Sequence, residues 1–427
     1  MIRSVCLAIA ALLALQTAAP VAERAIVAYV DAHNAEALAL LERVVNINSG
    51  TQNFAGVRDV GAIFLTSFDR LGFKTRWVDG APFQRAGHLI AEHQGSGPKL
   101  LLVGHLDTVF ERDSPFQKFQ WLDEKTATGP GIIDMKGGDV IILQALAALE
   151  AAGVLKDLNV TVVMTGDEEE GGRPLAKSRE VLVAAAKGAD VAIGFEDGPA
   201  DPRYAVTARR GTVDWQLRVK GTPAHSSQIF REEFGHGAIF EAARLLNAFR
   251  ERMAGEEHLT FNPGVILGGT SVDYDAAQAR GTAFGKTNVI AEQTVVSGDL
   301  RTLSPAQLDR AIKTMHEVAA GASPRTQATL TFGEGYPPLA PTDGNARLLT
   351  IYDRASRDLG FGPVTAVNPD KAGAADVSFV AGEVKMILDG VGLMGHDDHT
   401  PGETADLSTL PSQTKRAAIT IYRLTRR

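Results

Sequence analysis

Cysteine is almost absent from this chain, which has one among its 427 residues. That residue, Cys6, lies in a segment that we expect to be removed, so the mature chain would have no disulfide, no cysteine nucleophile and no thiolate metal ligand. A basic surface stripe is also missing. The net charge of -8 at pH 7 argues against nucleic acid as a partner. Beyond the N-terminus, no apolar run approaches the length of a transmembrane helix.

The first 22 residues have the pattern of a secretory signal peptide. Arg3 precedes an apolar run over residues 5–15, and small residues follow up to Ala22. The run is too short to span a bilayer. We therefore predict a periplasmic or secreted protein with no membrane segment after the signal is removed; a buried N-terminal helix is the alternative.

Strands alternating with helices predict an α/β fold. Strand-like runs occupy residues 75–78, 88–92, 100–104, 160–165 and 191–195, and helical spacing covers residues 31–46, 57–71, 138–152 and 174–187. This alternation indicates a largely parallel sheet that is sandwiched by helices. In such sheets the working residues gather at the carboxyl ends of the strands.

The pattern changes between residues 209 and 334. Half-exposed strands are predicted at 212–220, 294–301 and 329–332, with helices at 237–253 and 305–320. After residue 345 a helix, a strand near 386–388 and a helix over 410–424 follow. We predict a discontinuous catalytic domain (23–208 and 335–427) interrupted by a small α+β lid or dimerisation domain (209–334). Internal repeats and low-complexity tracts are missing.

Four consecutive acids, residues 167–170, stand where the strand at 160–165 should end. Two like charges about 4 Å apart repel by roughly 4 kcal/mol at an effective dielectric of 20, so such a cluster is either solvated or neutralised by something positive. Two neighbouring strands end in a similar way, at His105 and Glu196. The coincidence favours a shared polar site over a solvated turn.

Two further segments contain residues suited to a metal site. In His105-Leu106-Asp107 the first and third side chains point the same way. An Asp beside a His commonly fixes the tautomer and leaves the other ring nitrogen for a metal, although a structural pair is an alternative. The glycine-rich segment 129–138 delivers Asp134 just before a helix. It lacks G-x-x-x-x-G-K-[ST], which argues against a phosphate loop.

Together these motifs resemble a known family. His-x-Asp-Thr after a strand, Gly-x-Gly-x-x-Asp-x-Lys-Gly-Gly and Asp-Glu-Glu-x-Gly resemble the signature of di-zinc metallopeptidases of the aminoacylase and carboxypeptidase G type. That family includes succinyl-diaminopimelate desuccinylase and acetylornithine deacetylase. The resemblance implies these metal ligands: His105, Asp134 (bridging), Glu169, Glu196 and His399. It also implies that Glu168 is the general acid/base, that Asp107 orients His105, and that the peptide bond after Asp134 is cis.

The resemblance extends to the inserted segment and to the partners. It implies that His225 enters the active site of a partner subunit, where it binds substrate and helps to stabilise the tetrahedral oxyanion. It also implies that Asn288 is a second substrate-binding residue of that kind and that Arg301 receives a substrate carboxylate. A structural or surface hydrogen bond is the alternative for each. We expect two Zn²⁺ ions, for which Co²⁺ or Mn²⁺ would also suit the ligands, and a homodimer. His399 rather than His396 fits the family spacing to Glu403 and Asp406.

These features predict an exported zinc exopeptidase. We expect it to hydrolyse an amide bond in short peptides or N-acyl amino acids that have a free carboxylate. Two departures put glutamate specificity in doubt: residues 332–338 lack the arginine of glutamate-releasing relatives, and residues 371–376 only approximate the family's glycine-rich loop. An N-acyl amino acid deacylase is the alternative enzyme, and a non-catalytic solute-binding protein is the alternative from another class. A nucleotide-binding protein would rest on the glycine-rich turns alone.

Overall fold

The structure is a computed structural model that describes residues 20–197, 200–276 and 278–426. Most of the predicted signal peptide, including Arg3 and Cys6, lies outside these residues. In the part of the chain that is described, no helix has both the length and the apolar character needed to cross a bilayer.

The α-helices are distributed along the whole described chain. They are α1 (Val21–Ala32), α2 (Asn34–Val45), α3 (Phe54–Arg70), α4 (Gly137–Ala151), α5 (Leu175–Ser178), α6 (Glu180–Ala186), α7 (Gly237–Met253), α8 (Pro305–Ala320), α9 (Asp343–Asp358) and α10 (Thr409–Leu424). Two of them, α7 and α8, lie within residues 209–334.

The strands form one large sheet and several smaller ones. They are β1 (Lys74–Asp79), β2 (Gly87–His93), β3 (Lys99–His105), β4 (Gln120–Trp121), β5 (Thr126–Thr128), β6 (Asn159–Thr165), β7 (Val191–Gly194), β8 (Tyr204–Ala205), β9 (Gly211–Gly221), β10 (Thr260–Gly269), β11 (Ser271–Asp275), β12 (Arg280–Phe284), β13 (Gln293–Thr302), β14 (Thr326–Phe332), β15 (Thr365–Ala366), β16 (Met386–Leu388), β17 (Gly395–His396) and β18 (Thr404–Asp406).

The six-stranded sheet confirms the predicted α/β class. Its strand order is β1-β2-β6-β3-β7-β16. The pairs β3–β6, β3–β7 and β7–β16 are parallel, whereas β1–β2 and β2–β6 are antiparallel. Apolar side chains pack on both faces of this sheet, with the larger core under α1, α4, α9 and α10. The carboxyl ends of β3, β6 and β7 therefore meet at one edge.

Residues 209–334, which we call the inserted unit, contain a second, antiparallel sheet with the order β10-β13-β9-β14. Along β9, Val213, Trp215, Leu217 and Val219 are buried under α7 and α8, and the alternate residues face away. In the order of the chain, the unit follows β7 and precedes β16, and these two strands are paired neighbours in the main sheet. The domain limits themselves stay a prediction.

The sequence prediction missed the β10 strand and the β11–β12 hairpin of the inserted unit. Most of their side chains are exposed or half-exposed, so the apolar alternation that marks β9 is weak here. A register shift between Pro263 and Val265 interrupts β10 further.

Two helix predictions were wrong in their extent. The helix predicted over 174–187 is divided into α5 and α6 at Arg179, whose side chain is buried between Asp167 and Asp376. The helix predicted over 31–46 begins at Asn34 and follows a separate helix, α1, because the backbone of His33 leaves helical geometry (φ -111°, ψ 13°). The interruption between α5 and α6 thus coincides with the tertiary contacts of Arg179, which local spacing in the sequence does not indicate.

Candidate metal centre

Asp134 lies in a turn between β5 and α4 that folds back towards the end of β3. The turn begins at Gly131, whose positive φ of 68° suits glycine, and the Asp134–Met135 peptide bond is cis, as the resemblance implied. The helix that follows approaches the end of β7 closely, since a Cβ on Gly138 would stand 1.9 Å from the Phe195 carbonyl oxygen. This geometry directs the Asp134 carboxylate to the sheet edge.

The two oxygens of Asp134 face two different histidines. His105 Nε2 lies 3.0 Å from Asp134 Oδ1, and His399 Nε2 lies 2.9 Å from Asp134 Oδ2. The histidines are 294 positions apart in the sequence, His105 at the end of β3 and His399 in the turn before β18. One carboxylate therefore stands between two imidazoles, as a bridging ligand must.

Each histidine also has a second carboxylate beside it. His105 Nε2 lies 3.5 Å from Glu196 Oε2, and His399 Nε2 lies 3.1 Å from Glu169 Oε2. The candidate ligand atoms of His105, Asp134 and Glu196 all lie within 4.8 Å of one another. All five predicted metal ligands thus meet at one place, in two groups that share Asp134.

Asp398 also lies within ligand distance of Asp134 and His399. In the sequence, its position next to His399 is the signal that indicates it. His396, the alternative to His399, is exposed and lines the neighbouring cavity; it is not among the residues that meet at Asp134.

Asp107 is fully buried behind this centre. His105 Nδ1 lies 3.1 Å from the Asp107 carbonyl oxygen and 3.5 Å from its Oδ1. The same carboxylate accepts hydrogen bonds from the backbone amides of Glu168 (3.0 Å) and Glu169 (3.2 Å), and from the Thr51 hydroxyl (2.7 Å). Asp107 therefore orients the acidic loop as well as the imidazole.

Glu403 holds the turn that contains Asp134. Its buried carboxylate accepts hydrogen bonds from the amides of Gly131 (2.9 Å), Ile133 (2.9 Å) and Asp134 (3.3 Å). In the sequence, Glu403 stands out only through its spacing from His399. Its contact with residues 131–134 spans some 270 positions, so no local pattern indicates it.

The pKa values show a site with excess negative charge. Burial raises the pKa of Glu169 to about 8, and the charge of Asp134 adds to this effect. Hydrogen bonds with Asp134 and Glu169 raise the pKa of His399 to about 11. Burial lowers the pKa of His105, but the charge of Glu196 and hydrogen bonds with neighbouring carboxylates outweigh it, so this pKa lies well above its usual value. A site of this kind stabilises cations.

The donor set fits divalent metal ions. Among the described residues, Glu169 Oε1 is buried and has no hydrogen-bond partner, although the other oxygen of that carboxylate faces His399. A buried carboxylate oxygen without a partner is costly unless a cation binds it. Imidazole nitrogens with carboxylate oxygens suit zinc and also cobalt or manganese.

Glu168 stands beside the centre and opens onto a cavity of about 400 Å³. Burial, followed by the charge of Glu196, raises the pKa of its carboxyl well above the usual value. The residues that line the cavity include two cationic ones, Arg209 and Lys371, and three further acidic ones, Asp197, Asp397 and Asp398. A carboxyl that readily holds a proton therefore adjoins a space large enough for a small ligand.

The three residues predicted in the inserted unit lie elsewhere. His225 is exposed, its Nδ1 lies 2.9 Å from the Ser227 hydroxyl, and it forms a β-bridge with Val289, so His225 and Asn288 are close together. Arg301, on β13, donates a hydrogen bond to Asp299 (2.8 Å). In the described part of the chain, none of the three is among the residues that line the cavity beside Asp134.

Comparisons with known proteins agree with this geometry. The model of peptidase family M20/M25/M40 matches residues 101–423. The chain is 27% identical to carboxypeptidase G2 of Pseudomonas sp. (strain RS-16) over 389 residues, which cover 88% of this chain and 86% of that protein. It is 29% identical to acetylornithine deacetylase of Salmonella arizonae over 289 residues, covering 64% and 68%.

Solved structures share the fold. Aminopeptidase PepT from Bacillus cereus has a TM-score of 0.73 at 18% identity and covers 92% of this chain and 98% of its own. The YXEP protein of Bacillus subtilis, described as a dinuclear metal binding peptidase, has a TM-score of 0.64 at 16% identity and covers 93% and 99%. At these identities the structures establish the fold alone.

Proposed function

Since this chain belongs to peptidase family M20/M25/M40, we propose that it is an exported, zinc-dependent exopeptidase of the carboxypeptidase G type. Its substrates would be short peptides or N-acyl amino acids with a free carboxylate. The observation that carries the proposal is the position of Asp134, whose two oxygens face His105 and His399 at 3.0 and 2.9 Å.

The chain would bind the metal ions through residues that already stand in place. His105 and Glu196 would hold one ion, Glu169 and His399 the other, and Asp134 would contribute to both. Two divalent ions supply polarisation of the scissile carbonyl and a water that is nucleophilic at neutral pH.

Glu168 would move the proton. Its carboxyl opens onto the cavity and has a pKa well above the usual value, because it is buried and lies near Glu196. With bound cations favouring its ionised form, it would accept a proton from the attacking water and then donate it to the nitrogen of the leaving amine. A non-catalytic solute-binding protein would not need a carboxyl in this place, which argues against that alternative.

The cavity beside the centre supports a small anionic substrate. Its volume of about 400 Å³ falls in the range of small-molecule sites. Lys371 is exposed and lines it, so a free carboxylate would find a cation there. The role of Arg301 as a further carboxylate partner stays part of the proposal.

A homodimer would complete the site by bringing His225 and Asn288 of a second copy to the cavity. Support comes from the inserted unit, where Phe230 and Phe240 are 68% and 56% exposed and their rings lie 5.7 Å apart. The strand β10 is also one of the two edge strands of its sheet. Sedimentation equilibrium of the purified chain tests this, and a monomer at all concentrations would contradict it.

A deacylase of N-acyl amino acids is the second candidate function. Asp197, Asp397 and Asp398 line the cavity and would favour a substrate that carries an amine as well as a carboxylate. Acetylornithine deacetylases are among the relatives. Activity on N-acetyl amino acids with none on dipeptides or aroyl-glutamates would favour this alternative.

Export is the remaining part of the proposal and rests on the pattern of residues 1–22. Fractionation of the expressing cells tests it. The expected result is activity in the periplasm or medium and a chain shortened at its N-terminus.

The central experiment compares Glu168→Gln with Glu170→Gln. Glu170 belongs to the same acidic loop but is exposed and pairs with Arg85, so it is a matched control. We expect Glu168→Gln to lower kcat by about 10²–10⁴-fold while both bound metal ions are retained, and Glu170→Gln to behave as wild type. Dipeptides, aroyl-glutamates and N-acetyl amino acids serve as substrates, each with and without chelator. Full activity of Glu168→Gln, or of the chelated enzyme, would refute the proposal.

A further inference from the structure

Tyr336 belongs to the segment that leads from the inserted unit back to the main sheet. Strand β14 ends at Phe332 and helix α9 begins at Asp343. The carbonyl oxygen of Tyr336 accepts a hydrogen bond from the Thr212 amide (3.0 Å), at the start of β9. The backbone of Tyr336 is therefore attached to the inserted unit.

The side chain of Tyr336 reaches the other way, into the main domain. Its hydroxyl donates a hydrogen bond to the carbonyl oxygen of Glu168 (2.6 Å) and accepts one from Arg179 Nη2 (2.6 Å). The ring packs edge-on against Phe379, with centroids 4.9 Å apart. One side chain thus joins the inserted unit to the loop of the proposed acid/base.

Arg179 makes the position of this hydroxyl well defined. The guanidinium is 1% exposed, and all five of its N–H donors have partners. Besides Tyr336, the acceptors are Asp376 Oδ1, Asp167 Oδ1, the Asp167 carbonyl oxygen and the Ser178 hydroxyl. Because every N–H of the Arg179 guanidinium is already hydrogen-bonded, the group cannot rotate without breaking other bonds. The Tyr336 hydroxyl therefore has one favoured position.

Glu168 is held on both sides of its backbone as a result. Its amide donates to Asp107 Oδ1 (3.0 Å), and its carbonyl accepts from Tyr336. These contacts, to Asp107 and to Tyr336, restrain the backbone from which the Glu168 side chain projects. Asp107 also holds the peptide group on the carbonyl side, through the Glu169 amide (3.2 Å), and Tyr336 is the contact to the Glu168 carbonyl oxygen itself.

We propose that Tyr336 is a positioning residue that orients the Glu168 carboxyl towards the cavity. Through Tyr336, this orientation would also depend on the position of the inserted unit. The inference rests on the proposed function in so far as Glu168 is the acid/base. Tyr336 itself need not touch substrate, because its hydroxyl is occupied by Glu168 and Arg179. A displacement of the inserted unit against the main sheet would move Glu168 through this one phenol.

The test compares Tyr336→Phe with Tyr352→Phe in the full-length enzyme. Tyr352, on α9, is more deeply buried than the half-buried Tyr336, and its hydroxyl donates to Gln413 (3.3 Å). The control therefore removes the same atom from a hydrogen bond that involves neither Glu168 nor Arg179. For Tyr336→Phe we expect kcat to fall by about 10- to 100-fold, because Glu168 is no longer aimed. We expect KM to stay within about twofold, because no substrate contact is lost.

Two readouts do not depend on turnover. Bound metal per chain should be unchanged in both variants. Hydrogen exchange at the Glu168 and Glu169 amides should become faster in Tyr336→Phe and stay at the wild-type rate in Tyr352→Phe. A purely structural role for Tyr336 would lower stability in both variants alike and leave kcat and this local exchange unchanged.

The outcomes separate this inference from the proposed function. If Glu168→Gln is inactive while Tyr336→Phe has wild-type kcat and wild-type exchange, the positioning role is refuted and the proposed function stands. If Glu168→Gln is fully active, the proposed function is refuted, and faster exchange at Glu168 in Tyr336→Phe would still support the structural coupling. Equal losses of kcat in Tyr336→Phe and Tyr352→Phe would also refute the positioning role.

Discussion

Replacing Glu403 by glutamine is expected to weaken the metal centre without removing a predicted ligand. The buried Glu403 carboxylate accepts hydrogen bonds from the amides of Gly131, Ile133 and Asp134. Glutamine has the same shape, but its NH₂ group cannot accept a hydrogen bond from an N–H. At least one buried amide in the turn before α4 therefore loses its partner and faces another donor.

The magnitude follows from these contacts. Leaving one buried donor unsatisfied costs roughly 1–3 kcal/mol, and hydrogen bonds to a charged acceptor contribute about 1.5–3 kcal/mol each. We expect the free energy of unfolding of the metal-free chain to fall by about 2–4 kcal/mol. Because Asp134 is carried by the same turn, we expect the metal Kd to rise by about 10- to 100-fold, the usual effect of losing the group that supports a ligand.

The assay is a chelator-competition titration of metal affinity together with denaturant unfolding. Burial and the charge of Asp134 raise the pKa of Glu403 to about 7, so measurements at about pH 8.5 compare glutamine with an ionised carboxylate. Glu334→Gln is the control, since Glu334 also accepts a backbone hydrogen bond, from Leu175, but is half-exposed and remote from the turn. Unchanged metal affinity in Glu403→Gln, or an equal loss in both variants, would refute the reasoning.

Three further predictions concern other parts of the molecule. His399→Ala should lose about one of two bound metal ions because its imidazole would be a ligand, whereas His396→Ala should retain both. Elemental analysis of the purified variants checks this. Metal loss in His396→Ala alone would reverse the assignment. Burial opposes ionisation of Glu241, but hydrogen bonds, led by that from Arg244, lower its pKa to about 2. Because this folded-state pKa lies below the unfolded value of about 4.3, the stabilisation is present above that pH and is lost as the pH falls towards 2. The difference in Tm between wild type and Glu241→Gln should therefore narrow on acidification, and a constant difference would contradict the pairing. Trp215→Ala should lower the free energy of unfolding by about 3–5 kcal/mol, measured with denaturant, because this side chain is 1% exposed in the core of the inserted unit; a loss under about 1 kcal/mol, the size expected at a surface position, would count against that account.

The main sheet was predictable because its strands are short apolar runs bounded by turn residues. β3, β6 and β16 lie within a residue or two of their expected limits. The amphipathic helices α7 and α8 match the predicted bounds as well. β10 was missed because both its faces are largely accessible, so the alternation on which strand prediction depends is weak there.

The predicted metal ligands share a simpler property, since most of them follow a strand of the main sheet or open a helix beside it. Polar residues at such places have few structural reasons to be there, which makes them visible in a sequence. Glu403, Asp398 and Tyr336 have no such signature. Their importance comes from contacts with residues far along the chain, such as Glu403 with Ile133 and Tyr336 with Glu168.

By itself, the sequence determined the α/β class, the family and the residue types available for a thiol-free metal centre, because these depend on local periodicity and on short motifs. The tertiary structure alone decided that the two oxygens of Asp134 face different histidines and that a tyrosine just after the inserted unit holds the Glu168 loop. The physical reason is that each arrangement includes a contact of about 3 Å between groups more than 160 positions apart, His399 with Asp134 and Tyr336 with Glu168. Such distances are set by how the sheet edge, the turns and the inserted unit pack together, and no pattern along the chain encodes them.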